Sequence, residues 1–322
     1  MKSRPHFYRA YGLTLASAIS IPELPRCGDG IADVCVERWN SVEPRGDIAW
    51  LDRSMRGGRA WLALGATANG HVLRFPGLAE FRVAPRRIEL RRVKGIPATT
   101  ARHLLLDHVL PRVLDLRGAL VLHGACVASP AGAVLLLGPS GRGKSTLATT
   151  LAHHGFALLG DDVTVLEPLG ERWIARASYP SVRLWPDSVA ALVEGPTHAV
   201  RHDMTKRRAD ARRFAAAHDV APTHALAPMT EADAVPIARA FVLTAAPADA
   251  RPSITPISPR AAFAELAAQT FRFDPTHRDA LRDEFTTLVR LAAHPGFRRL
   301  EVPRTHGALP DVVRCIREDL ER

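Results

Sequence analysis

Hydrophobic and polar positions change period several times along the chain, and each change marks a different kind of element. In the first hundred residues the apolar runs are short and broken by Gly, Pro and Asp. Ala32 to Trp39, Asp47 to Leu51 and Trp61 to Leu64 read as strands. Between Glu80 and Val93 two alternating stretches flank Ala84-Pro85-Arg86-Arg87, which predicts a hairpin turning at Pro85. Residues 1–98 therefore read as a small β-rich amino-terminal domain. From Thr99 the period becomes helical: Thr99 and Thr100 can cap a helix from Ala101 to about Asp115, bent at Pro111.

The pattern changes again at Ala119. Ala119 to Ala128 and Ala133 to Leu137 are apolar, strand-sized runs separated by Ser129-Pro130-Ala131-Gly132. Four residues allow a hairpin but not a parallel crossover, so the two runs are expected to pair antiparallel. A helix follows from about Lys144 to His154, then a strand from Ala157 to Leu166 and further strands near Val182 and Ala238. Helices are expected at Pro259 to Phe271, Thr276 to Ala293 and Pro310 to Leu320. Residues 99–322 thus read as an α/β domain with a mixed sheet and helical carboxyl-terminal packing. The stretch from about Gly195 to Val235 is rich in Ala, His, Pro and Arg without periodicity and reads as a long loop. No internal repeat is visible.

Composition narrows the class. With 322 residues, 47% hydrophobic and 24% charged, the chain can bury a core without disulfide or metal staples, and neither disorder nor a fibrous repeat fits. The net charge of +10 first suggests a polyanion partner. All but four of the 43 basic residues are arginine, however, which fits a coding bias, and no nucleic-acid recognition motif or aromatic–arginine stacking platform accompanies them. A nucleic-acid partner is therefore not expected. Cys27, Cys35, Cys126 and Cys315 lack CxxC spacing, and the amino terminus lacks an apolar signal core, so reduced thiols and a cytoplasmic setting are expected. No apolar run approaches a membrane span.

The strongest chemical signal is Gly138-Pro139-Ser140-Gly141-Arg142-Gly143-Lys144-Ser145, a complete GxxxxGK[ST] motif between an apolar strand and a helix. Glycines let the backbone turn several N–H groups inward, and the helix amino terminus adds positive potential. Lys144 brings a full charge toward the β/γ-phosphates, the Ser145 hydroxyl is placed for Mg²⁺, and Thr146 continues the cradle. A nucleoside triphosphate, ATP by default, is the expected ligand, and the motif itself does not read the base.

Gly160-Asp161-Asp162-Val163 follows on the next expected strand. One carboxylate can hold Mg²⁺ with Ser145, which suits Asp162, while the other takes a proton from an attacking hydroxyl. Neighbours on a strand face opposite sides, so both acids reach one spot only if the strand ends there, and the division of roles stays open. His123, in LVLHGACVA, is expected on a strand beside the P-loop strand. That pattern serves a hydrogen-bonded core histidine as well as one that tunes the acids or meets the γ-phosphate. Arg201, Lys206, Arg207, Arg208, Arg212 and Arg213 cluster in the long loop. They read either as a solvated helix face or as a segment closing on phosphate or an acidic peptide, with Arg201, Lys206 and Arg208 the candidates for contact.

The stretch Leu122 to Glu167, LHGACVASPAGAVLLLGPSGRGKSTLATTLAHHGFALLGDDVTVLE, resembles the catalytic core of the HPr serine kinase/phosphorylase family. The resemblance lies in the order of a His-Gly strand, a short turn, an apolar strand, a Walker A loop, a short helix and an Asp-Asp strand. It implies a fold related to phosphoenolpyruvate carboxykinases, with the P-loop in a mixed sheet. It also implies that Lys144 and Ser145 serve phosphate and Mg²⁺, that Asp161 and Asp162 are the catalytic acid and its neighbour, and that His123 is an active-site histidine. Two departures stand out. The Glu-Arg-Gly segment of HPr kinases has no counterpart, the region reading Tyr179-Pro180-Ser181-Val182-Arg183-Leu184-Trp185, and the amino-terminal YRAYGLTLASAISIPELP does not resemble their regulatory domain.

The resemblance points to a divergent HPr kinase-like branch, some of whose members accompany lasso-peptide biosynthesis and phosphorylate a terminal serine of the precursor. The expected activity is a Mg²⁺-ATP-dependent serine kinase acting on a peptide or small protein. HPr kinase/phosphorylase proper and a non-catalytic nucleotide-binding regulator are the alternatives. An assembly of identical copies is compatible with the sequence.

Overall fold

In the computed structural model, the described residues are 4–39, 48–179, 181–193, 198–200, 203–210, 234–274 and 277–322; for 56, 198–200 and 203–210 the description is of the backbone. The chain divides into two compact units. The first comprises residues 1–119 with 272–278, and the second 120–271 with 279–322. The sequence pattern places the boundary at 98/99; in the structure, the helical segment after Pro97 belongs to the first unit.

Among the described residues the first unit contains eight strands: β1 (His6–Ala10), β2 (Leu13–Ser17), β3 (Val34–Arg38), β4 (Ala49–Arg56), β5 (Arg59–Thr67), β6 (Gly70–Phe75), β7 (Ala79–Ala84) and β8 (Arg87–Arg92). They form one sheet in the order β1-β2-β3-β8-β7-β6-β5-β4. Phe81 and Val83 on β7 and Ile88 on β8 are buried at alternate positions, and β7 and β8 pair with Ala84 opposite Arg87, so the turn falls at Pro85-Arg86. The following helix opens at Ala98 with Pro97 as its N-cap and no side-chain cap, so the expected threonine capping does not occur. It runs as α1 (Ala98–Leu104), a π-helical turn (Leu105–Val109) and α2 (Leu110–Leu116). Pro111 accounts for the interruption: it offers no N–H to the turn before it, and its ring crowds that turn, which widens.

In the second unit, β9 (Leu120–Leu122), β10 (Ala125–Ser129) and β11 (Gly132–Leu137) precede α3 (Lys144–His153), β12 (Ala157–Gly160), β13 (Thr164–Leu169), β14 (Arg172–Arg176), β15 (Ser181–Leu184) and α4 (Pro186–Leu192). Then come β16 (His198–Val200), β17 (Asp203–Asp210), β18 (Ala234–Ala246), β19 (Ser253–Pro256), α5 (Pro259–Gln269), α6 (Arg278–Ala292), β20 (Phe297–Pro303) and α7 (Leu309–Leu320). The main sheet runs β12-β10-β11-β18-β14-β13-β9, with β20 also on β18 and β19 on β20. Strand β11 is antiparallel to β10, as four connecting residues require, and parallel to β18, so the sheet is mixed. Successive residues of β11 feed cores on opposite faces. Ala133, Leu135 and Leu137 pack with Ala262 and Leu266 of α5 and Leu288 and Leu291 of α6, whereas Val134 and Leu136 pack with Leu147 and Leu151 of α3 and Val312 and Ile316 of α7. Helices on both faces explain why β11 is apolar at every position.

Two expected strands are each split. Ala119 to Ala128 breaks at His123-Gly124, and Ala157 to Leu166 breaks at Asp161-Asp162-Val163. Strand β10 pairs with β11 and β12, while β9 pairs with β13. A continuous strand cannot serve both sets of neighbours. Gly124 lies at the divergence, where a Cβ would meet the Leu136 carbonyl oxygen at 2.9 Å. A third departure lies in the expected loop from 195 to 235: β16 and β17 join β15 in a three-stranded sheet ordered β15-β17-β16. The polar sequence of β17 hides its strand period, and its partner β15 lies more than twenty residues earlier.

Candidate active site

The two strand breaks face each other. Cys126 on β10 is paired with Gly160 on β12, and Leu122 on β9 with Thr164 on β13, so the residues between these pairs, His123-Gly124 and Asp161 to Val163, sit opposite one another. His123 is therefore not in a strand beside the P-loop strand, as its sequence context suggests, but in the gap between two. Its Nδ1 lies 2.9 Å from the Asp162 carbonyl oxygen. An oxygen acceptor there requires Nδ1 to carry the hydrogen, which leaves Nε2 with its lone pair. Burial holds the imidazole below its ordinary pKa; Lys144 and Arg183 push the same way, against the Asp162 charge.

The P-loop leaves β11 at Gly138 and enters α3 at Lys144. Gly141 and Gly143 have φ of 81° and 85°, and a Cβ at either would meet nothing within 4 Å. Glycine is needed there for the left-handed backbone, and the open space is where an anion can approach the amides. Lys144 is buried, with its Nζ donating to the Gly138 carbonyl at 2.7 Å and the Pro139 carbonyl at 3.3 Å. These two bonds satisfy an ammonium that would otherwise be costly to bury.

Beyond Gly160 the chain is no longer extended. Asp162 adopts φ 65°, a left-handed conformation that aspartate tolerates better than most residues. This break frees both acids from strand alternation. Asp161 Oδ2 accepts from the Arg183 backbone N–H at 2.9 Å, and Asp162 Oδ2 pairs with the Arg183 guanidinium Nε. The Ser145 hydroxyl also hydrogen-bonds the Asp161 carboxyl. Burial and the neighbouring Asp162 charge push the Asp161 carboxyl up to about 7, against those two hydrogen bonds and the Arg183 charge.

P-loop residues from Ser140 onward, His123, Asp162 and Arg183 line one cavity of about 260 Å³. Asp161 reaches it through Ser145, and Gly138 and Pro139 hold Lys144 from behind. The sequence pattern pairs Asp162 with Ser145; in the structure the carboxyl that meets this hydroxyl is that of Asp161. Among the described residues, no group of three or more His, Cys, Asp or Glu side chains could hold a metal by itself. Mg²⁺ ordinarily takes one or two carboxylates and completes its shell with water and substrate phosphate. Ser145 beside Asp161, with Asp162 adjacent, fits that donor set, and a cation there would relieve the burial penalty on Asp161.

Arg183 was not visible as a site residue, since a single arginine in Val182-Arg183-Leu184 carries no motif. The buried Val182 and Leu184 anchor β15 against Ala152 and Leu158, which leaves the intervening side chain on the cavity side. Gln269 is another addition. Its carbonyl accepts from the His123 N–H at 2.6 Å, and its amide nitrogen, oriented to donate, reaches the carbonyls of His123 and Gly138 at 3.3 Å each. Of the basic cluster, Lys206, Arg207 and Arg208 lie on strand β17 rather than on a helix, with Arg208 opposite Arg183 in register. Arg201, Arg212 and Arg213 lie outside the described residues.

No family model matches the chain. It is 39% identical over 69 residues to a protein of Oceanobacillus iheyensis provisionally named HPr kinase/phosphorylase 2, covering 21% of this chain and 22% of that protein. It is 34% identical over 101 residues to the HPr kinase/phosphorylase of Chlorobium phaeovibrioides, covering 30% of each. The matches thus span less than a third of these curated relatives' lengths. A solved structure, the Hpr(Ser) kinase/phosphatase from Coxiella burnetii, aligns over 62% of this chain and 94% of that chain, at 14% identity and a TM-score of 0.33. Among the described residues no helix is long and apolar enough to cross a membrane.

Proposed function

From the premise that the chain is HPr kinase-like, we propose that it is a Mg²⁺-ATP-dependent kinase that phosphorylates a serine hydroxyl of a peptide or small protein in the cytoplasm. The observation that carries this reading is that the P-loop lysine and serine share one cavity with the buried Asp162, while the buried Asp161 hydrogen-bonds the same serine. A module that only senses nucleotide needs the phosphate cradle but has no use for a second acid. Mg²⁺, held by Ser145 and Asp161, would supply charge neutralisation for the phosphates. The loop amides and Lys144 bind the triphosphate and stabilise charge on the transferred group. Asp162, paired with the Arg183 guanidinium, takes the proton as the acceptor oxygen bonds to the γ-phosphorus and the bridging P–O bond breaks, its electron pair leaving with the diphosphate. His123 fixes the Asp162 backbone through Nδ1.

The acceptor we propose is the terminal serine of a ribosomally made precursor of the lasso-peptide type. The lack of a Glu-Arg-Gly segment, where this chain carries Arg183 and Trp185, favours it over HPr itself. Lys206 and Arg208, on the strand paired with β15, are proposed as contacts for phosphate or an acidic peptide. The test is incubation with γ-labelled ATP and either serine-terminated peptides or HPr, comparing wild type with Asp161→Asn and Asp162→Asn. Label on the peptide's serine that disappears in both variants supports the kinase. Nucleotide binding without transfer to either acceptor would leave a regulator, and label on HPr alone would return the chain to HPr kinase proper.

A further inference from the structure

Trp185 is the one large hydrophobic side chain, among the described residues, that is both exposed and part of the cavity wall; 43% of it is accessible. Leaving an indole this exposed forgoes burial that a core position would give it. Its position is nonetheless fixed. Leu184 before it is buried, Pro186 after it is the first residue of α4, and its own backbone is extended, at φ −68° and ψ 155°. In an extended chain Trp185 lies on the same side as Arg183 and about 6.5 Å further on. The acid-bound guanidinium and the indole thus mark successive positions along one wall.

The rest of the lining is mixed. Ala245, Val302, Pro303 and Leu309 are apolar, while Asp187, Arg304, Thr305 and His306 are polar or charged. A hydroxyl–imidazole chain runs from the P-loop helix to His306: Thr146 Oγ1 lies 3.0 Å from Ser188 Oγ, which lies 3.4 Å from His306 Nε2. The cavity therefore brings together the charged groups of Lys144, Asp162 and Arg183, apolar side chains and one exposed aromatic ring. A nucleoside triphosphate offers a partner for each kind of group, a polyanion for the cations and a π-face for the ring.

We infer that Trp185 is the stacking platform for the nucleoside base. The inference rests on the nucleotide-binding reading above and adds to it the subsite that the P-loop motif leaves unspecified. Stacking reads the π-face and not the pattern of donors and acceptors, so adenine and guanine are accepted alike. The alternative occupant, a side chain of the phosphoacceptor, is separated by the test.

Binding of ATP, GTP and inorganic tripolyphosphate, each with Mg²⁺, is measured by calorimetry on the full chain and on its Trp185→Ala and Trp185→Phe variants. The wild type is expected to bind ATP and GTP about tenfold or more tightly than tripolyphosphate, the size expected of one base–aromatic stack. In Trp185→Ala that preference collapses to near parity while tripolyphosphate affinity is unchanged, which also certifies the fold of the cradle; Trp185→Phe keeps most of it. A Trp185→Ala protein that retains the full preference overturns the inference, and so does one that loses tripolyphosphate equally. Failure of all three ligands to bind the wild type would overturn the phosphate-cradle reading itself.

Discussion

Asp161→Asn should stabilise the ligand-free protein, and by more as the pH rises. A carboxyl whose folded pKa lies above its unfolded value holds its proton more tightly in the native state. Its contribution is fully present below about pH 4 and is lost as the pH climbs through the folded value. Burial and the Asp162 charge carry Asp161 from 3.8 to about 7. The corresponding loss between those limits is on the order of 4 kcal/mol for a fully buried group. Asparagine keeps an oxygen for the Arg183 N–H but cannot ionise, so the variant lacks this pH dependence. The assay is urea unfolding of both proteins from about pH 5 to pH 8.5 without divalent cation or nucleotide, with hydrogen exchange in β12 reporting the second unit separately. The stability difference is expected to widen by a few kcal/mol from pH 5 to about pH 7 and then level off, and saturating Mg²⁺-ATP should remove the wild type's pH dependence by favouring the charged carboxylate. A difference that is flat with pH, or a variant less stable throughout, would refute the reasoning.

Three further outcomes follow from the geometry. Lys144→Met removes a charged donor from the phosphate cradle and should lower tripolyphosphate affinity by about ten- to a hundredfold, as read by calorimetry, with little change in melting temperature. Gly160→Ala forces a Cβ to within 2.7 Å of Ser178 Oγ and 2.9 Å of the Val163 carbonyl; it should cost about 1–3 kcal/mol in urea unfolding and displace the acid turn enough to abolish phosphoryl transfer. Arg183→Ala leaves the buried Asp162 carboxylate without its guanidinium partner and should destabilise the protein by about 3–5 kcal/mol at pH 8, with Arg183→Lys recovering part of the loss, measured by the same denaturation.

What could be read from the chain was what is encoded locally. The hairpin at Pro85, the antiparallel turn at Ser129 to Gly132 and the P-loop between β11 and α3 each depend on residues within a few positions of one another, where turn length and φ preference decide the outcome. The site itself is long-range. His123 and Asp162 are 39 residues apart and meet because β9 and β13 take one set of sheet neighbours while β10 and β12 take another. Sequence alternation runs straight through both breaks, so each pair of strands read as one. Arg183 joins the acids because Val182 and Leu184 are driven into a small core under β15. That constraint comes from partners on α3 and β12, and nothing in Val182-Arg183-Leu184 announces it.

The proposed phosphoryl transfer requires one divalent cation shared by the anion cradle and the buried acids. Electron paramagnetic resonance of Mn²⁺ bound with ATP examines this directly, through the count of tightly held ions and their coupling to phosphorus. The expected result is one Mn²⁺ per chain, coupled to the triphosphate, its affinity sharply reduced in Ser145→Ala and in Asp161→Asn while ATP alone still binds. Mn²⁺ that remains coupled to phosphorus with undiminished affinity in Asp161→Asn and Asp162→Asn would contradict it, because the acids would then have no part in holding the metal beside the phosphates.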